Sequence, residues 1–208
     1  MIAALRALGL TAVALALSAC VSLLPDAEPS QLYRLDAAID PAATAAPSAP
    51  TFGLVLPSTG FVRAASGDRI LTVTGDEVAY IASARWVAPA TNLFDEAVER
   101  AFDANTGPAR LVTRGEMRTA ESVLRLDVRR FEVVYDRGQG AAPLVVVRLR
   151  ATLVNRGDRA LIDEEVFEAE VRATDNRVGA IVAAFDEGTG QVLTQLVDWS
   201  NRTGAPQG

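Results

Sequence analysis

Apolar residues recur at helical spacing in two segments of the chain, and each segment predicts an amphipathic helix. In the first, Asn92 stands where a cap is expected, and acidic residues follow it where they suit the helix dipole. Its apolar stripe consists of Leu93, Phe94, Ala97, Val98, Ala101 and Phe102. In the second, Asp175 is the expected cap, and Gly188 and Gly190 predict a loosened or kinked middle. Its stripe consists of Val178, Ile181, Val182, Phe185, Val192, Leu193, Leu196 and Val197.

Strands are predicted where apolar and polar residues alternate, or where a short apolar run ends at a turn residue. Gly75 and Asp76 form the turn of the clearest short hairpin, and Pro57 ends a short strand before it. The short predicted strands are 31–35, 52–56, 70–74, 78–81 and 111–112, and the long ones are 122–135, 144–154 and 160–173.

The strand at 122–135 changes the parity of its apolar positions. Even positions are apolar first and odd positions afterwards: Leu124, Leu126 and Val128, then Phe131, Val133 and Tyr135. Because side chains alternate between the two faces of a strand, an extra residue or a change of face must intervene. We therefore predict a bulge or bend near Arg129 and Arg130.

The last two strands flank a turn at residues 155–158, and a two-residue loop there would fix their register. In that register, opposite charges pair on one face and apolar residues pair on the other. The predicted pairs are Arg150 with Asp163, Arg148 with Glu165, Val147 with Val166 and Ala151 with Ile162.

The order of these elements predicts an α/β fold: a single layered domain with a mixed, mostly antiparallel sheet of about five to seven strands, covered by two main helices. The domain is placed at residues 31–200, and it includes an extended Ala/Pro-rich loop at 36–50. A polar, flexible tail is expected at 201–208.

Composition excludes most catalytic designs. The 208 residues include no histidine, and all 20 basic residues are arginine. Imidazole bases, histidine-ligated metals and lysine Schiff bases are therefore excluded, and we predict no enzyme activity, no cofactor and no metal site. The formal net charge of −6 argues against a nucleic-acid partner.

Cys20, the only cysteine, carries the most specific chemistry. It follows Arg6, an apolar run and the small residues Ser18 and Ala19, which together have the parts of a secretory signal over residues 1–19. The sequence Leu-Ser-Ala-Cys resembles the bacterial lipobox, so we predict lipidation at Cys20 and a lipidated tether at 20–30. Lipoproteins that stay at the inner membrane often have aspartate just after the cysteine. Val21 occupies that position here, which favours delivery to the outer membrane. An uncleaved transmembrane anchor or ordinary secretion is the alternative.

Other candidate motifs have a structural interpretation beside a functional one. The carboxylates Asp163, Glu164, Glu165, Glu168 and Glu170 could supply a glycosidase-like pair, but an exposed strand face neutralised by Arg148 and Arg150 is favoured. The pair Gly138 and Gly140 predicts a turn, and so does the tripeptide at 156–158. Trp86 and Trp199 are expected in the core rather than at a ligand.

These features in order resemble the ABC-type transport auxiliary lipoproteins, including the paraquat-inducible protein C group. The resemblance spans residues 31–199, and the residues that carry it are Cys20, Tyr33-Arg34-Leu35, Pro57, Tyr80, Trp86, Pro89, Leu126, Val128 and Phe131. It implies a non-catalytic component of a mammalian-cell-entry (MCE) system, which moves lipid or another hydrophobic compound. It also implies an MCE-domain protein as partner and a lipid anchor at the periplasmic face of the outer membrane. Whether the protein forms a homo-oligomer is left open by the resemblance. An envelope-assembly lipoprotein is the alternative function.

Overall fold

A mixed sheet and two helices make up the domain. The computed structural model describes residues 30–37, 39, 51–112 and 120–204. The helices are α1 (Ala90–Asp103) and α2 (Val178–Thr203), and a short 3₁₀ turn spans Arg63–Ala65. The strands are β1 (Gln31–Tyr33), β2 (Phe52–Val55), β3 (Gly60–Phe61), β4 (Arg69–Thr74), β5 (Glu77–Trp86), β6 (Ala109–Leu111), β7 (Ala120–Val134), β8 (Leu144–Asn155) and β9 (Leu161–Arg172).

The predicted α/β class is confirmed, and the described residues form nine strands instead of five to seven. The long strand β7 explains the difference. β8 pairs with β7 in antiparallel register along one edge, from Ser122 to Val134. Along the other edge, β2, β3 and β4 pair with it in succession, all parallel, so that short segments join one sheet. β5 and β1 extend the sheet beyond β4, β6 lies beside β2, and β9 lies beside β8.

The predicted bulge in β7 is confirmed. The pairing with β8 shifts register between Val128 and Arg130. Before the shift, the side chains of Leu124 and Val128 are fully buried. After it, the side chains of Phe131 and Val133 are at most 2% exposed. The extra residue lets both halves of the strand point their apolar side chains into the same core.

The predicted register between β8 and β9 is wrong. Arg148 lies opposite Glu168, not Glu165, and Arg150 lies opposite Val166. The connection is longer than a two-residue loop: the Asn155 amide donates to the Ala160 carbonyl at 2.9 Å, and Arg159 adopts a left-handed φ of 63°. The observed register differs from the prediction by three residues. Because three is odd, it exchanges the two faces of β9.

The two apolar stripes bury as predicted except at Val178, which is partly buried, whereas the predicted helix starts are wrong. α1 begins at Ala90 after Pro89 without a side-chain cap, so Asn92 lies inside the helix and no acidic residue occupies the first turn. α2 begins after Arg177, and Asp175 instead accepts a hydrogen bond from the Arg177 amide at 2.8 Å.

α2 is one continuous helix through its glycines, and it packs on β8 and β9. A Cβ at Gly188 would lie 3.5 Å from methyl groups of Val147 and Val171, so the helix runs close to the sheet there. The helix continues to Thr203, three residues past the predicted end of the domain.

Aromatic rings fill the space between the helices and the sheet. Phe131 lies at the centre of this cluster, with ring centroids 4.6 Å from Phe185, 5.5 Å from Phe61 and 5.9 Å from Trp86. Trp86 and Trp199 are 2% and 3% exposed. Both tryptophans are therefore core residues, as predicted.

Candidate functional site

In the acidic run on β9, two residues form ion pairs with arginines of the neighbouring strand β8, so they do not supply two free carboxylates for catalysis. Glu164 forms an ion pair with Arg150 and accepts a hydrogen bond from the Thr152 hydroxyl at 3.4 Å. Hydrogen bonding from Arg150 lowers the pKa of Glu164. Glu168 lies 3.1 Å from Arg148. Both pairs lie on the face of the sheet opposite α2, so the favoured interpretation of this run is confirmed.

The remaining sequence motifs also serve the fold. The Trp199 indole donates to Asp163 at 3.0 Å, which joins the end of α2 to β9. Gly138 turns the chain with a φ of 84°. In the loop after β8, the Gly157 amide donates to the Asn155 side chain at 2.7 Å. Within the described ranges, no group of three acidic, histidine or cysteine side chains is arranged to hold a metal ion.

The segment that enters the domain after β1 is fixed to both helices. Leu35 and Ala37 are 4% and 7% exposed, so their side chains belong to the core. The Leu35 carbonyl accepts a hydrogen bond from the Arg100 guanidinium of α1 at 3.2 Å. The Asp36 amide donates to the Asp186 carboxylate of α2 at 2.7 Å. We call residues 35–37 the docking segment.

Two open clefts flank the docking segment. The larger, of about 620 Å³, lies against α2 and is lined by Asp36, Asp186, Glu187, Gly190, Gln191, Thr194 and Gln195. The smaller, of about 360 Å³, lies against α1 and is lined by Arg34, Leu35, Asp36, Val87, Ala88, Leu93, Glu96 and Arg100. Asp36 lines both clefts, so the docking segment forms the wall between them.

The carboxyl pKa of Asp186 is raised from its ordinary value. Partial burial beside the docking segment raises this pKa, and the neighbouring charge of Asp36 adds to the effect. The hydrogen bond from the Asp36 amide and the charge of Arg100 oppose the shift without reversing it. Asp36 and Asp186 both line the larger cleft, and the hydrogen bond from the Asp36 amide fixes the docking segment to α2.

The outer strand β9 presents the main exposed apolar surface. Leu161 is 62% exposed, Val166 is 42% exposed and Ile162 is 39% exposed. β9 pairs with β8 alone among the described strands, so its second edge has no strand partner there. We call these three side chains and that edge the β9 surface. The odd shift in register brings Val166 to this outer face, opposite Arg150 instead of the apolar partner that the sequence predicts. Ile162 has no partner in β8, because the pairing shifts between Asp163 and Leu161.

Cys20, the predicted lipidation site, lies outside the described residues. Neither helix in the described part of the chain combines the length and the hydropathy needed to cross a bilayer.

Comparison with known proteins assigns the family. The sequence model of the ABC-type transport auxiliary lipoprotein component matches residues 33–197, from the end of β1 to near the end of α2. The chain belongs to this family. The match includes the sheet after β1, the docking segment, all of α1 and most of α2.

Solved structures agree with the assignment of this auxiliary lipoprotein. Protein XCC0632 from Xanthomonas campestris, described under the family model DUF330, is 26% identical with a TM-score of 0.71, and the match covers 84% of this chain and 96% of that one. An uncharacterized protein is 14% identical with a TM-score of 0.63, covering 86% and 100% of the two chains, and shows the same fold. Comparison with curated proteins gives no significant match.

Sequence reasoning did not identify the docking segment or the β9 surface of the auxiliary lipoprotein. The composition of segment 36–50 predicts an extended loop, although burial of Leu35 and Ala37 fixes its start. A signal was present at Leu35 and Ala37, which alternate with polar residues and continue the pattern of β1. The β9 surface could not be found, because the predicted register placed Ile162 and Val166 on the opposite face.

Proposed function

We propose that this auxiliary lipoprotein is a non-catalytic adaptor of an MCE-type ABC transporter for lipids or other hydrophobic compounds. In this proposal, lipid on Cys20 holds it at the periplasmic face of the outer membrane, and an MCE-domain protein is its partner. The observation that carries the proposal is the family match over residues 33–197. The sequence resemblance supplies the MCE partner and the outer-membrane location.

The docking segment supports an anchoring role. A lipid at Cys20 would be joined to the domain through the chain that enters at β1. Hydrogen bonds then fix that chain to α1 through Leu35 and to α2 through Asp36. Because both helices pack on the same core, a force on the anchor would be carried by the whole domain and not by β1 alone.

The β9 surface is the proposed contact with the MCE-domain protein. A free strand edge can accept a strand from another chain, and exposed apolar side chains beside it can supply specificity. Glu165 and Glu170 on this strand are exposed and form no ion pair among the described residues, whereas Glu164 and Glu168 pair with Arg150 and Arg148. The two unpaired carboxylates disfavour antiparallel pairing of β9 with a second copy of itself, because like charges would approach each other. A neutral or basic strand is the complementary partner.

Co-purification of the intact lipoprotein tests this function. The wild-type protein, extracted from membranes in mild detergent, is expected to retain an MCE-domain protein. Val166→Asp should reduce that recovery because it puts a charge on the β9 surface. Val78→Asp is the matched control, since Val78 is 62% exposed on a different strand.

The outcomes separate the parts of the proposal. Repeated recovery of no MCE-domain protein with the wild type would contradict the transport function. Equal recovery of the MCE-domain protein with Val166→Asp and Val78→Asp would contradict the β9 surface as the contact, while the proposed transport function would stand. A defect in the assembly of outer-membrane proteins or lipopolysaccharide on deletion, with lipid asymmetry intact, would favour an envelope-assembly lipoprotein instead.

A further inference from the structure

The face of the sheet where the chain enters the domain is partly apolar and exposed. β1 and β5 are parallel, with Leu32 in register with Arg85 and Tyr33 in register with Trp86. Since Trp86 is buried, its neighbours Arg85 and Val87 point to the other face, and Leu32 lies with them. Leu32 is 62% exposed and Val87 is 51% exposed. These two positions therefore present apolar side chains to the outside.

Arginines accompany the apolar residues on this face. Arg34 is exposed, follows Leu32 at the spacing that keeps it on the same side, and lines the smaller cleft together with Val87. Within the described part of the chain, Arg34 has no ion-pair partner. Arg85 is 3.2 Å from Asp68 and is neutralised by it. We call Leu32, Arg34 and Val87 the entry face; Asp36 and Glu96 line the smaller cleft beside Arg34.

The position of the entry face relative to Cys20 favours the bilayer as its occupant. Eleven residue steps separate Cys20 from Gln31, and a chain of that length reaches at most about 40 Å. The entry face lies directly at the end of this connection, whereas Val78 lies up to about 30 Å farther along β5. A bilayer that holds Cys20 is thus kept at high effective concentration near the entry face, where even a weak contact is populated.

We propose that the entry face rests on the bilayer that anchors Cys20, with Leu32 and Val87 at the headgroup boundary and Arg34 beside an anionic headgroup. This inference rests on the lipid anchor of the proposed function. The protein as a whole is acidic and is repelled by an anionic surface, so the local arginine and the two apolar side chains determine which side faces the membrane. Such contact fixes the orientation of the domain and keeps the β9 surface available to a partner.

Single labels on the lipidated protein test the orientation. Since Cys20 is the only cysteine and would be acylated, an introduced cysteine supplies the one free thiol. Leu32→Cys and Val87→Cys would carry an environment-sensitive fluorophore. Val78→Cys and Leu161→Cys are controls, because both positions are 62% exposed, as Leu32 is. The full-length lipoprotein is placed in vesicles of phosphatidylethanolamine and phosphatidylglycerol, with a quencher attached to the lipid chains.

Quenching of the labels at Leu32 and Val87, with the two control labels unquenched, would support the proposal. In the Leu32→Cys background, Arg34→Glu should lower the ratio of membrane-facing to free orientations by roughly five-fold or more, the effect of one basic residue at an anionic surface. Arg137→Glu is its control, since the Arg137 side chain is 71% exposed and follows the end of β7 that pairs with Val73, which lies opposite Val78 at the far end of β5 from Trp86.

Equal quenching of all four labels, or of none, would overturn the membrane-facing orientation while leaving the adaptor function intact. Quenching that survives Arg34→Glu unchanged would overturn the role of the arginine. An unmodified Cys20 in the purified protein would contradict the anchor itself, and with it both proposals. Burial of the entry face only after an MCE-domain protein is added would identify a protein contact and overturn the membrane contact.

Discussion

Replacement of Phe131 by alanine tests the core on which the domain depends. Phe131 is 2% exposed, and its ring lies 4.6 Å from that of Phe185 and 5.5 Å from that of Phe61. Trp86 and Phe94 complete the surroundings at 5.9 and 6.3 Å. The side chain thus links β7 to both helices, and it points inward only because the bulge at Arg129 corrects the parity of the strand.

Loss of a buried phenyl ring costs about 3–5 kcal/mol, including the cavity that remains. The ring pairs add about 0.5–1.5 kcal/mol each, so Phe131→Ala should fall at the upper end, near 5 kcal/mol. Phe131→Leu keeps most of the apolar volume and should cost about 1–2 kcal/mol. For a domain of this size, about 2–4 °C of Tm accompanies each kcal/mol.

Urea denaturation of both variants and the wild type, followed by tryptophan fluorescence, measures these differences. Because about 5 kcal/mol is a large share of the stability of a typical domain, Phe131→Ala is expected to be partly unfolded at 37 °C. The leucine variant remains measurable in any case. A loss below about 1 kcal/mol for the alanine variant would refute the central position of Phe131.

The remaining predictions concern α2 and its ends. Burial raises the pKa of Asp186, so its contribution to stability is fully present below the unfolded pKa of about 3.8 and is lost as pH rises through the folded value. Asp186→Asn should therefore be more stable than the wild type at pH 7 and lose that advantage near pH 4. Urea denaturation at several pH values measures the difference in unfolding free energy, and a difference that does not change with pH would contradict this prediction. Gly188→Ala should stabilise the domain by about 0.5–1 kcal/mol in thermal melts, since alanine favours the helix and its Cβ meets ordinary contacts of 3.5 Å. Gly204→Ala should destabilise it by about 1–2 kcal/mol, because the new Cβ would overlap the buried ring of Phe52. A neutral effect in thermal melts would contradict this close contact.

Local patterns were enough to predict α1, α2 and β7. The stripe from Leu93 to Phe102 and the change of parity near Arg129 depend on residues a few positions apart, where side-chain geometry leaves few alternatives. The caps at Asn92 and Asp175 were wrong because each helix end depends on its tertiary surroundings. α1 begins directly after Pro89, and the amide of its first residue, Ala90, donates to the Gly67 carbonyl at 2.9 Å.

The register of β8 and β9 could not be predicted, because the acidic residues of β9 are so closely spaced that several alignments place one of them opposite an arginine. Shifting β9 by three residues exchanges Glu165 for Glu168 opposite Arg148, and an opposite-charge pair survives in either alignment. Charge agreement was therefore weak evidence. The decisive feature is the loop that ends at Arg159, whose left-handed backbone is not signalled by an arginine side chain.

The candidate surfaces were even less accessible from sequence. Parallel pairing of β1 with β5 joins residues more than fifty positions apart, and it alone puts Leu32 and Val87 on one face. The hydrogen bond from the Asp36 amide to Asp186 spans 150 positions. Such long-range contacts leave no periodic signal in the intervening residues. The family, in contrast, was identified from ordered short motifs.

The lipid anchor is the claim on which both the adaptor function and the membrane-facing orientation depend. Mass spectrometry of the amino-terminal peptide from native membranes measures it directly. We expect a chain that begins at Cys20, with a diacylglyceryl thioether on its sulfur. A chain that begins elsewhere, or a Cys20 with a free thiol, would contradict the account.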